Sequence, residues 1–194
     1  MDSYRIPTGN GASEYVEKRS RFLGLVQPVG SEDEAREIIA ACKKQYHDAR
    51  HNCWCYLLRD GTERYSDDSE PQGTAGIPML EVFRRAGVTN AVCVVTRYFG
   101  GVLLGTGGLV RAYQGAVQAG LASSTIIDKK EGIQLTVGTD YTGLGKLQYL
   151  IAQQNLTLID TVYTEKVELQ LMVPAEQQQE VEKEIVEATN GSAR

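Results

Sequence analysis

Apolar and polar positions along this chain follow two different periods, and the switches between them mark out its elements. Residues 16–29, VEKRSRFLGLVQPV, are rich in β-branched and aromatic residues but broken by the charged KRSR, which predicts two strands or one bent strand. SEDE at 31–34 is a capping box, with Ser31 as N-cap and Glu34 three residues on. Ala35, Ile38, Ile39, Cys42 and Tyr46 then follow at helical spacing. CWCYLL at 53–58 places Cys53, Cys55 and Leu57 on one face and Trp54, Tyr56 and Leu58 on the other, the pattern of a strand buried on both sides, and Asp60-Gly61 turns the chain. RYSDDSEPQGTAG at 64–76 has no period and predicts a loop. Pro78 opens a short helix, MLEVFRRAG, that Gly87 closes. The apolar strand AVCVVTRYF, 91–99, then runs into five glycines, and beyond them Leu109, Ala112, Tyr113, Ala116 and Gly120 mark one helix face. From residue 131 the pattern restarts as strand, helix, strand, strand, helix. That is the ferredoxin-like order without its fourth strand, so the sheet has three strands or gains another from residues beyond 194.

Composition narrows the compartment and the partner. At 194 residues two domains are expected, 1–128 and 131–194. No apolar run approaches the ~18 residues of a membrane span, and the first residues lack a secretory pattern, so a soluble cytoplasmic protein with no membrane partner is expected. Four cysteines, Cys42, Cys53, Cys55 and Cys93, sit inside apolar patterns rather than forming a disulfide framework. The net charge of −5 is uneven: residues 1–130 carry 16 Lys and Arg against 15 Asp and Glu, and residues 131–194 carry 4 against 10. An anionic partner should therefore meet the first part, and no DNA binding is expected.

Three stretches could carry chemistry. The glycines Gly100, Gly101, Gly105, Gly107 and Gly108 lie between a strand and a helix N-terminus, flanked by Arg97 and Arg111, and such a corner can offer free backbone N–H groups to a phosphate. The spacing is neither GxGxxG nor GxxxxGK[ST]. A tight corner alone, and a corner that also contacts an anion, both remain open. In DDSEP, Asp68 and Glu70 could serve as acid, base or metal ligand if His51 converges, or could be a solvated acidic loop. Thr74 offers a hydroxyl to an anion or to the following helix start. His47, His51, Cys53 and Cys55 do not form a four-ligand spacing, so no metal and no cofactor are expected.

Taken together, KRSRFLG (18–24), HDARHNCWCY (47–56), SDDSEPQGTAGIPML (66–80) and VVTRYFGGVLLGTGGLVRAYQGAV (94–117) resemble the IMPACT family, in particular its bacterial YigZ branch. GKLQY and VELQLMVPA are similar to that family's C-terminal domain. The resemblance implies an α+β protein of two domains. The first resembles the second domain of a small-subunit ribosomal protein and domain IV of elongation factor G, and the second is a ferredoxin-like α/β sandwich. By that analogy it implies contact with RNA or a ribosome-associated protein, and the family's eukaryotic members regulate translation under amino-acid starvation. The leading expectation is a non-catalytic binding protein that modulates translation. A hydrolase or transferase acting on a small phosphorylated substrate, and a protein-interaction module, are the alternatives. The sequence does not decide between catalysis and binding, and it specifies no oligomeric state.

Overall fold

The computed structural model describes residues 3–193. The chain falls into two compact units, Tyr4–Lys129 and the residues from Lys130 on. The first unit contains β1 (Tyr4–Thr8), β2 (Gly11–Glu17), β3 (Ser20–Pro28), α1 (Glu32–Gln45), β4 (His51–Leu57), β5 (Glu63–Ser66), α2 (Gly76–Ala86), β6 (Ala91–Tyr98), α3 (Thr106–Ala122) and β7 (Thr125–Lys129).

Its main sheet is antiparallel throughout, in the order β2-β3-β6-β4-β5. The middle strand β6 buries every residue but its last, because both of its faces are covered. Cys93 and Val95 pack toward α2 and α3 together with Cys53, Cys55, Met79, Phe83 and Tyr113. Val92 and Val94 pack on the opposite face with Ala35, Ile39 and Cys42 of α1 and with Tyr56 of β4. Ser31 caps α1 as predicted, its Oγ accepting from the Glu34 N–H at 3.2 Å, while the Glu34 carboxylate reaches one residue further back than a capping box requires and accepts from Gly30 N–H at 2.7 Å.

Two departures from the sequence pattern shape the site. The predicted loop at 64–76 begins inside a short edge strand, β5, which pairs Glu63–Ser66 with Leu57–Trp54 of β4. Four largely polar residues give too little alternation to read as a strand, and an edge position lets them face solvent. Residues 16–29 form part of a hairpin whose loop is only Lys18 and Arg19, both left-handed at φ 45° and 67°. Such a turn ordinarily takes Asn-Gly. The small sheet of β1 with β7 joins segments more than a hundred residues apart and has no local signal at all.

The second unit contains β8 (Gly132–Thr139), α4 (Tyr141–Gln153), β9 (Thr157–Tyr163), β10 (Val167–Pro174) and α5 (Gln178–Ala188). Its strands order β8-β10-β9, all antiparallel. Among the described residues this sheet has three strands. Val167, Leu169, Leu171 and Val173 of β10 face Leu147, Ile151, Val181 and Ile185 of the helices. Both units are therefore α+β.

Candidate phosphate-binding face and the network behind it

The acidic loop between β5 and α2 turns its carboxylates inward. Asp67 accepts from the backbone N–H groups of Gly73 (2.8 Å), Ala75 (3.0 Å) and Gly76 (2.8 Å). It thereby caps α2, whose own N-cap residue Ala75 has no side chain to do so. Asp68 and Ser69 are both left-handed, at φ 40° and 70°, which swings the Asp68 carboxylate away from that cap. It accepts from Asn52 N–H at 2.7 Å and from Lys43 Nζ at 2.9 Å, and the Asp68 carbonyl lies 2.8 Å from His51 Nδ1.

Glu70 is the buried member. Its Oε1 accepts from Arg97 NH1 and from the Tyr113 hydroxyl, each at 2.7 Å, and His51 Nε2 stands 3.9 Å away. Cross-strand register explains the meeting: His51 of β4 and Phe22 of β3 both lie opposite Arg97 of β6. The guanidinium carbon sits 5.6 Å from the Phe22 ring centre and 5.7 Å from that of Phe99. Arg97 Nε is buried without a hydrogen-bond partner. The Cys53 thiol is 3.0 Å from the Asp67 carbonyl and 3.3 Å from the Tyr113 hydroxyl. Burial pushes both the Cys53 thiol and the Tyr113 phenol well above their ordinary ionisation ranges, so both keep their protons.

Arg97 and Thr74 therefore do not offer themselves to a solvent-borne anion. Arg97 points from β6 toward the α2 and α3 side, is only 6% exposed and is engaged by Glu70. Thr74 is buried and donates to the Pro71 carbonyl at 2.6 Å. The structure thus brings His51, Asp68, Glu70 and Arg97 together with the acidic loop, as an internal network. Among the described residues no group of three or more His, Cys, Asp or Glu side chains is arranged to hold a metal ion.

The solvent side of the glycine corner is different. Gly100 lies so close to the β2–β3 hairpin that a Cβ there would meet the Arg19 carbonyl carbon at 2.1 Å, and its N–H donates to Ser20 Oγ at 3.2 Å. Only glycine permits this contact, and it seats the hairpin tip, Lys18 and Arg19, on the corner. Gly101 and Gly105 are left-handed at φ 82° and 73°, turning the chain into α3. Gly105 is the α3 N-cap, and no side chain caps the first turn, whose Thr106 and Gly107 are exposed. Gly107 is exposed and leaves room for Arg111, whose NH1 lies 3.5 Å from where a Cβ would stand; Gly108 is buried under Leu104. Lys18, Arg19 and Arg111 are all exposed, and among the described residues no carboxylate lies within salt-bridge reach of them. In the segment that forms the corner, Phe99, Val102 and Leu103 are exposed at 49%, 41% and 82%. Sequence reasoning did not single out Lys18 and Arg19. Their signal was two adjacent cations at the only non-alternating point between two strand patterns.

Known proteins carry the same pattern. The model of the Impact N-terminal domain matches residues 18–121, from the hairpin tip through α3, and a domain family of unknown function (DUF1949) matches 137–192. The chain is 37% identical to the IMPACT family member YvyE of Bacillus subtilis over 100% of its own length and 90% of that protein. It is 33% identical to the IMPACT family member YigZ of Escherichia coli, covering 99% and 96% of the two chains. A solved structure described as that of a hypothetical protein is similar with a TM-score of 0.67 at 32% identity, covering 100% of this chain and 96% of the other. With its motifs, both domain matches and full-length relatives in agreement, this chain belongs to the IMPACT family.

Proposed function

We propose that this protein is a non-catalytic cytoplasmic RNA-binding protein that acts on translation through the solvent face of its glycine corner. The observation that carries this reading is the seating of the Lys18–Arg19 tip on Gly100, at the start of the corner that leads through the N-cap Gly105 to Gly107 and Arg111 of α3. Three exposed cations with no carboxylate partner among the described residues, and a helix N-terminus that no side chain caps, suit a run of backbone phosphates. The exposed Phe99 adds a surface on which an unpaired base can stack. The role in translation rests on the resemblance to IMPACT proteins, whose eukaryotic members regulate it.

The hydrolase or transferase alternative draws on one observation, the buried meeting of His51, Glu70 and Arg97. It is the weaker reading because each carboxylate of the acidic loop is already held by protein donors. The test is binding to single-stranded and structured RNA across a salt series. The reading expects Kd in the micromolar range and a linear fall of log affinity with log salt. Salt-independent binding, or none at low salt, overturns it.

A further inference from the structure

The second unit ends its sheet on two edge strands of different character. β9 changes register against β10 between Gln170 and Leu171 and carries Asp160, both devices that discourage further pairing. β8 has none of these. It pairs with β10 from Gly132 to Thr139 without a break, and GIQLTVGT contains no charge and no proline. Half of its backbone donors and acceptors face away from β10, and among the described residues no strand pairs with them.

The core also runs out to this rim. The inward residues of β10 are at most 1% exposed, whereas on β8 Val137 and Thr139 are buried but Ile133 and Leu135 are only half-buried. Beside the strand a groove of about 300 Å³ opens between β8 and α5, lined by Leu135, Val137, Ile185, Val186, Ala193 and Glu182. In a ferredoxin-like sheet the fourth strand lies beside the first, which is here this open edge.

Charge selects what fits it. Residues 131–194 carry 4 basic against 10 acidic residues, and α5 presents Glu180, Glu182, Glu184 and Glu187 with Lys183 as its single cation. A second copy joined edge to edge would bring two strongly acidic units together, which like-charge repulsion opposes. We propose that β8 accepts an extended basic segment of a partner protein as a fourth antiparallel or parallel strand. Its backbone pairs with β8, its alternate apolar side chains enter the groove beside α5, and its intervening Lys or Arg residues stand on the open face of the sheet, where β10 exposes Glu168, within the field of the acidic unit. This site is separate from the glycine corner and goes beyond the RNA reading.

The probe is a short peptide alternating valine and lysine, with a control alternating valine and glutamate, added to the full chain. The proposal expects slowed amide hydrogen exchange at Gly132–Thr139 with the lysine peptide, weakening with salt, and none with the glutamate peptide. Thr136→Lys with Val186→Lys, both at exposed positions, should weaken binding at least about tenfold while exchange in α4 and β10 stays as in the parent. Equal effects of the two peptides, protection at β9 instead of β8, or a concentration-dependent dimer that protects β8 without peptide would each overturn it. The exchange pattern of the parent protein locates the site without any variant.

Discussion

Glu70 and Arg97 form an ion pair at 2.7 Å whose side chains are only 2% and 8% exposed. Burial at this depth makes the pair sensitive to losing one partner, since the survivor is left charged and poorly solvated. Glu70→Gln and Arg97→Met should each destabilise the first unit by about 3–5 kcal/mol. The double variant Glu70→Gln/Arg97→Met should lose clearly less than the sum, because no unpaired charge remains. Urea denaturation of the four proteins measures this coupling, and additive losses would show that the pair is not a unit.

The Asp67 carboxylate replaces a capping side chain from eight residues before the N-cap Ala75, satisfying three backbone donors at the start of α2. Asp67→Ala should cost about 2 kcal/mol or more, above the roughly 1 kcal/mol expected for Ser31→Ala at the single-bond cap of α1. Thermal melts of the two variants rank them.

Much of the first unit was legible because its signals were local. The Ser31–Glu34 box, the two-faced burial of Cys53 to Leu58 and the face Leu109, Ala112, Tyr113, Ala116 each lie within one element. What was not legible depends on pairing across the chain. Pro7 meets Ile126, and Glu70 meets Arg97 and Tyr113, through register that no short window contains. The same limit misplaced Arg97. It sits next to the glycines in sequence, but strand alternation sends its side chain to the interior, while Arg19, eighty-one residues before Gly100, rests against the corner.

The glycines of the corner should not respond alike. Gly100→Ala would drive a Cβ to 2.1 Å from the Arg19 backbone, so about 1–3 kcal/mol of stability and part of the RNA affinity should be lost together. Gly107→Ala meets nothing closer than 3.5 Å at a helical position, and should be neutral or slightly stabilising. Equal effects at both positions would separate the hairpin tip from the corner.

The buried thiols supply a pH dependence. Burial raises the Cys53, Cys55 and Cys93 ionisations in the folded protein, whereas unfolded thiols ionise near pH 8.5. Above that pH the unfolded chain releases protons that the folded chain retains, so stability is fully present below about 8.5 and falls as pH rises beyond it. Denaturation midpoints between pH 7 and 10 should decline on the alkaline side. Thiol labelling at pH 8 should be slow in the native protein and fast in denaturant; rapid native labelling of all four cysteines would contradict their burial.

The central claim rests on Lys18, Arg19 and Arg111 contacting phosphates as a group. The most direct measurement is the salt dependence of single-stranded RNA binding by the parent and by Lys18→Ala/Arg19→Ala/Arg111→Ala, all three at exposed positions. If each cation displaces its share of counterions, the slope of log affinity against log salt should fall by about 2 in the triple variant. An unchanged slope, with the fold intact by circular dichroism, would contradict phosphate binding at this face.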